Sequence, residues 1–346
     1  NIVLSTGTAN ANLLTIGLSN VSAFLGFGQG TANALGLQLT GIDLAIALWS
    51  EVVPEGQTAR SWTSVKASVA FASLVGLSAL GLSVTTFGIE VNKENASDHT
   101  VVNYVGATAT VLDVVVGPGK TVHFDLDGSQ GDLIRAFGHV TITIANFVTI
   151  GGDFGFEKST SNGVSKILVG AAGITTFLGT TDESMGVRIT NAFFGMVLIQ
   201  NPGSDNKYAL TAGGSAAIVG FEGILELSGS LTVKVNKTGA AVNERIRVGA
   251  GYVDVVFANG DDVMGFYGSV SLQIVSFVKV SGNFGFEKHV SGETTKLLIG
   301  ASNVTVFLGV GAGTPGALGI QVTNGTLGLV LINTGSGNSK YALYAS

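Results

Sequence analysis

Residues Phe154–Lys158 read FGFEK, and the same five residues return at Phe284–Lys288, 130 positions later. The match continues without a gap. SKILVGAAGITTFLG (Ser165–Gly179) is echoed by TKLLIGASNVTVFLG (Thr295–Gly309), and GLSNVSAFLG (Gly17–Gly26) is a third version. After each FLG comes a second related segment: ALGLQLTGIDLAIAL (Ala34–Leu48), SMGVRITNAFFGMVLI (Ser184–Ile199) and ALGIQVTNGTLGLVLI (Ala317–Ile332). KYAL at Lys207–Leu210 recurs at Lys340–Leu343. Self-similarity at a long, nearly fixed period is the signature of a repeat architecture.

The copies are residues 17–169, enlarged by insertions such as SEVVPEGQTARS (Ser50–Ser61), then 170–299, then a partial copy, 300–346. Residues 1–16 read as the end of a preceding copy, because STGTANANLLTIG lines up with SNGVSKILVG. Their apolar, uncharged text makes them the expected inter-subunit strand. Asn1 opens inside a strand pattern and no signal peptide is visible, so the chain reads as mature or excised from something longer.

Within a copy the text divides into about seven strand-like segments, each interrupted near its middle by Gly or another small residue. RIRVGAGYVDVVFA (Arg245–Ala258) counts as one of them. In LTVKVNK, Leu231, Val233 and Val235 fall on one side and Lys234 and Asn236 on the other. In FGFEK, Phe154, Phe156 and the stem of Lys158 share a face opposite Gly155 and Glu157. A small residue inside every strand marks a bend or close backbone approach. The expected fold is therefore all-β, with tandem repeats of kinked strands forming a β-solenoid-like stack or a bent antiparallel β-sandwich. Leu168, Phe177, Val197, Ile199, Phe286, Leu298, Phe307 and Leu331 are the expected core, with Glu157, Glu287 and Lys340 exposed.

Composition narrows the function classes. Charged residues are 12% of the chain and Gly is 51 of 346, so large surfaces are packed against something. A net charge of −6 argues against nucleic acid as a partner, and the absence of Cys removes disulfides and thiolate chemistry. The uncharged stretch Ala67–Ile89 is long enough for a membrane span, but its interleaved Gly and Ser favour strands, so no transmembrane segment is expected.

No residue set reads as a catalytic site or a cofactor site. His99, His123, His139 and His289 do not recur between copies, and no HExxH, GxSxG or Walker A pattern occurs. DLDGSQGD (Asp125–Asp132) resembles the front half of a calcium loop, with Asp125, Asp127 and Asp132 as candidate ligands. The bidentate acid such a loop needs at its twelfth position is here Ala136, and a plain polar turn is the favoured alternative. Glycosylation sequons stand at Asn20, Asn95, Asn236, Asn303 and Asn324, of which Asn20 and Asn303 are repeat-equivalent.

SNVSAFLGFG, ALGLQLTGIDLAIAL and VSGNFGFEK resemble repeats of very large bacterial surface or secreted proteins of adhesin-like type. That resemblance implies an extracellular or cell-surface location and a structural or adhesive role, with no active site to carry over. The leading expectation is a non-enzymatic structural subunit of an extracellular fibre, a homo-oligomer joined head to tail through edge strands. The alternative is an adhesin or carbohydrate-binding segment of a giant secreted protein. An outer-membrane barrel is disfavoured by the aromatic content, only 8%.

Overall fold

The computed structural model describes all residues except 28, 32–33, 76–79, 96, 145–147, 162, 181, 201–206, 223, 276, 292–293 and 335–338. A short hairpin, β1 (Ile2–Val3) and β2 (Thr8–Ala9), precedes a long antiparallel sheet. The sheet opens with β3 (Ala11–Phe27), β4 (Leu35–Glu51), β5 (Ser61–Val75) and β6 (Leu80–Lys93). The chain then leaves it for a small hairpin, β7 (Asp113–Gly117) and β8 (Lys120–His123), followed by a single 3-10 turn at Gly128–Gln130. It returns as β9 (Asp132–Ile144), β10 (Val148–Ser161), β11 (Val164–Gly179), β12 (Gly186–Gln200), β13 (Lys207–Val219) and β14 (Leu225–Asn236). A second excursion makes β15 (Val242–Val248) and β16 (Gly251–Phe257). The last stretch is β17 (Asp262–Ile274), β18 (Val278–Ser291), β19 (Thr294–Val310), β20 (Leu318–Asn333) and β21 (Ser339–Ala345).

Fifteen of these strands form one sheet in chain order, skipping only the hairpins, and every ladder in it is antiparallel. Its edge strands, β3 and β21, do not pair with each other, so the sheet is not closed. The all-β expectation holds. No helix among the described residues is long and apolar enough to cross a membrane.

The bends fall where the sequence is repeated. Asn20, Gly173 and Asn303 hold φ of 55°, 60° and 54°; in the neighbouring strands Gly41, Asn191 and Asn324 hold 66°, 52° and 58°. The register of β3–β4, β11–β12 and β19–β20 shifts beside each pair. Asn tolerates the left-handed region better than other residues with a Cβ, which accounts for Asn or Gly at these six positions. Three sequon asparagines, Asn20, Asn303 and Asn324, are thus bend residues.

Two overlays make the core. RIRVGAGYVDVVFA is not one kinked sheet strand: it turns at Gly249 (φ 51°) and forms most of the β15–β16 hairpin, which lies over β10–β12. Ile246, Val248, Val253 and Val255 pack there on Leu168, Val197 and Ala209. The β7–β8 hairpin lies likewise over β3 and β4, where Val114, Val116, Phe124 and Leu126 meet Ala45, Ala47, Trp49 and Trp62. Small residues line the covered strip because backbone passes directly over them. Gly155, Gly170 and Gly195 are cross-strand partners in one row. A Cβ on Gly155 would run into the Arg247 carbonyl, one on Gly170 would stand 2.7 Å from Val248, and one on Gly195 2.8 Å from Val253.

The strand alternation is as expected, but the inward face is the other one. Gly155 and Glu157 are buried and Phe156 and Lys158 exposed, because the overlay lands on the glycine side. Glu157 is only 6% exposed, against expectation. Leu168, Phe177, Val197 and Phe307 are buried as expected, whereas Ile199, Phe286 and Leu298 are half-buried and Leu331 is exposed. Lys340 is exposed and Glu287 half-buried.

Residues 1–16 divide in two. Ile2, Leu4 and Ala9 belong to the core of the first overlay. Val3 N–H donates to Thr110 Oγ1 at 2.7 Å and Ser5 N–H to the Val101 carbonyl at 2.8 Å. The part up to Ala9 packs on its own body. Its alternating apolar residues find Val102 and Tyr104 within the same chain. Only Ala11–Ile16, the start of β3, lies at a free edge.

Candidate functional site

The densest polar constellation lies on the covered face, at the seam between the two overlays. Lys66 on β5, Glu90 on β6, Arg135 on β9 and Glu157 on β10 are successive cross-strand partners, so their side chains share one face. Arg135 Nη1 donates to Glu90 Oε2 at 2.8 Å and its Nε to Glu157 Oε2 at 2.7 Å. Lys66 Nζ stands 3.9 Å from Glu90 and 2.5 Å from Asp125, which belongs to the first overlay.

Both overlays reach into the row. Arg135 Nη2 donates to Gln130 Oε1 at 2.9 Å, from the 3-10 turn behind the first hairpin. From the second, Arg247 Nη1 donates to Glu90 Oε1 at 3.2 Å while its guanidinium covers the Phe137 ring at 3.7 Å. Burial alone would lower the Arg135 pKa; the charges and hydrogen bonds of Glu157 and Glu90 outweigh it and hold the guanidinium above its usual value. Each acid of the row is ion-paired, and removing one partner would strand a buried charge. The arrangement works as a clamp that fixes two overlays to one sheet.

A second buried network ties the first overlay down. Trp49 Nε1 donates to the Tyr104 hydroxyl at 2.9 Å, which donates to Ser64 Oγ at 2.8 Å. Ser64 Oγ donates to Asn92 Oδ1 at 2.9 Å, and Asn92 Nδ2 to the Val102 carbonyl at 2.8 Å. Trp62 Nε1 donates to Thr100 Oγ1 at 3.0 Å. Burial pushes the Tyr104 hydroxyl up to about 12, against the hydrogen bonds with Ser64 and Trp49.

Between the overlays runs a groove of about 850 Å³, floored by Phe71, Phe87 and Gly88 and edged by Asp43, Lys120 and Arg247. Lys120 Nζ lies 3.1 Å from Asp43, whose carboxyl is held below its ordinary range chiefly by the Asn20 backbone N–H, against the opposing effect of burial, with Lys120 adding to the lowering.

The three candidate calcium ligands are not brought together. Asp125 pairs with Lys66, Asp132 pairs with Lys93, and Asp127 caps the 3-10 turn by accepting from Ser129 N–H at 2.8 Å. Among the described residues no three His, Asp or Glu side chains converge on a common point. Each histidine faces a carboxylate, at four separate places: His99 with Glu94, His123 with Asp113, His139 with Asp153, His289 with Glu287.

Two sequon asparagines are buried through the very amide a glycan would take. Asn236 Nδ2 donates to the Ala240 and Asn259 carbonyls, each at 3.1 Å, and Asn95 Nδ2 to the Ser61 carbonyl at 3.3 Å. Sugar on either would have to break these bonds. Sequence reasoning missed the clamp because its members sit on four strands with no local motif. The detectable signal was Arg135 within LIRAF (Leu133–Phe137), where a charge among apolar neighbours demands partners. No protein-family profile, no curated protein and no solved structure matches this chain.

Proposed function

We propose that this chain is a non-enzymatic structural subunit of an extracellular or cell-surface assembly, built from tandem copies of a bent, hairpin-covered sheet and joined head to tail through its free strand edges. One observation carries the reading. Neither edge strand carries proline or more than one charged side chain, devices with which natural sheets protect their edges. Strand β3 has no charged residue and exposes Leu14, Ile16 and Leu18; β21 has Lys340 alone and exposes Tyr341, Leu343 and Tyr344. Backbone groups along such edges favour added strands, with alternate side chains filling pockets on the neighbour.

The geometry constrains the junction. Fifteen alternating strands leave β3 and β21 pointing the same way, so β21 of one copy against β3 of the next makes a parallel ladder. A contact of β3 with β3 would be antiparallel and close a two-fold dimer instead. Electron microscopy of the purified chain tests this: filaments are expected, and none from Leu14→Lys or Leu343→Lys proteins of unchanged circular dichroism. Filaments that persist in both variants would refute the edge mechanism.

A carbohydrate-binding role is the second reading, favoured by the groove between the overlays, where exposed Phe71 stands near Asp43, Lys120 and Arg247. An aromatic face beside hydrogen-bonding charges suits a sugar ring. Glycan-array binding lost on Phe71→Ala supports it; an array with no signal removes it.

A further inference from the structure

Strands β18–β21 repeat, residue for residue, the platform that the second overlay occupies on β10–β13. In the second copy, Gly155, Gly170, Gly195 and Thr211 are successive cross-strand partners, flanked by the row Glu157, Leu168, Val197 and Ala209. In the third, the corresponding rows are Gly285, Gly300, Gly328 and Tyr344, and Glu287, Leu298, Val330 and Ala342. Seven of the eight residues are identical, and the register is the same at every step. The one change, Tyr344 for Thr211, falls on the edge strand.

The two platforms differ in what lies above them. Leu168, Val197 and Ala209 are 2%, 0% and 0% exposed beneath β15–β16, while Leu298 and Val330 are half-buried and Ala342 is exposed. A Cβ on Gly155, Gly170 or Gly195 would collide with the hairpin. One on Gly285 would meet only the Tyr267 side chain, at 3.3 Å, one on Gly300 nothing nearer than the Leu327 carbonyl at 3.8 Å, and one on Gly328 nothing within 4 Å. A row of three glycines in register costs strand stability, and one use that offsets this cost is the close approach of another backbone.

We infer that the β18–β21 face is a docking platform for a β-hairpin of the Val242–Phe257 kind, supplied from outside residues 1–346. The chain itself shows the chemistry of the occupant. It is an antiparallel hairpin with Val or Ile at alternate positions on its inner face, as in Ile246, Val248, Val253 and Val255, and with a backbone carbonyl passing over glycine as Arg247 passes over Gly155. Its affinity comes from removing that apolar strip from water. This contact is through the face of the sheet and is independent of the edge-to-edge joining proposed above.

The test adds a backbone-cyclised peptide of residues 240–259 to the full chain and follows binding by calorimetry and by amide hydrogen exchange. Saturable binding is expected, with new protection at 297–301 and 327–330, and none from a scrambled peptide. A Gly300→Val/Gly328→Val protein should fold, since both positions have open space, yet bind no peptide. Absence of saturable binding to the unmodified chain overturns the proposal, as does binding that survives the double valine change. Self-association of the chain abolished by that change would make the partner a second copy. Absence of peptide binding to the unmodified chain with filaments intact would sink this proposal alone, whereas binding to the unmodified chain without filaments would sink only the edge mechanism.

Discussion

The carbonyl oxygen of Arg247 sits directly over the α-carbon of Gly155, and Gly249 N–H donates to the Phe154 carbonyl beside it at 3.3 Å. This single approach fixes how close the second overlay comes to the sheet. Gly155→Ala should therefore lift the hairpin and destabilise the fold by about 1–3 kcal/mol or more. Gly151→Ala on the same strand, where a Cβ would lie 3.6 Å from Thr141 Oγ1, should stay within about 0.5 kcal/mol. Chemical denaturation of the two proteins checks the contrast, and equal stabilities would show that the hairpin is not held at that distance.

Among the described residues Arg135 is the only ion-pair partner of Glu157, whereas Glu90 is also held by Arg247 and Lys66. Arg135→Ala is expected to cost about 3–5 kcal/mol, because it leaves Glu157 charged and buried. Arg135→Leu combined with Glu157→Leu should recover most of that loss. A double-mutant cycle measures the coupling, and a coupling near zero would mean the row contributes nothing as a unit.

Alkaline pH should loosen the first overlay before the second. The Tyr104 pKa rises from 10.0 to about 12 in the folded state, so the folded chain holds its proton where the unfolded chain has lost it. The stability this gives is complete below about pH 10 and disappears as pH climbs through about 12, a loss on the order of 2–3 kcal/mol. Tyr104→Phe should flatten that part of the stability profile while lowering stability at neutral pH, since Trp49 loses its acceptor. A Tyr104→Phe profile with the same alkaline slope would move the effect to another group.

The bend residues offer a backbone test. Asn191→Gly should leave stability nearly unchanged, whereas Asn191→Val, forced to keep φ near 52°, should cost about 1–2 kcal/mol. The same pair of changes at Asn324 should behave alike. Thermal unfolding that cannot tell Gly from Val at either position would show that the bend does not depend on the left-handed residue.

Much of this was open to reading in the residues. The match of Phe154–Lys158 to Phe284–Lys288 places both in strands, β10 and β18, and the alternation of Phe156 against Glu157 is real. The direction of burial was hidden for a physical reason. Phe154 and Phe156 are far more apolar than Gly155 and Glu157, so transfer free energy points the phenylalanines inward. What decides is the close backbone approach of a hairpin whose sequence, Arg245–Ala258, looks like one more kinked strand. The clamp was equally invisible, since Lys66, Glu90, Arg135 and Glu157 meet only once four separate strands are in register.

Each overlay hairpin covers strands that precede it in the chain: β7–β8 lies on β3 and β4, and β15–β16 on β10–β12. Every sheet strand likewise pairs first with the sheet strand made just before it. A chain emerging N-terminus first from a ribosome thus makes each cover only after the strands it shields. Loop-closure entropy stays small along the ladder, where most strands join the one made just before, while the covers close longer stretches of chain. Such a molecule can consolidate one copy while the next is still being threaded, so growth in the number of copies need not slow the assembly of those already out.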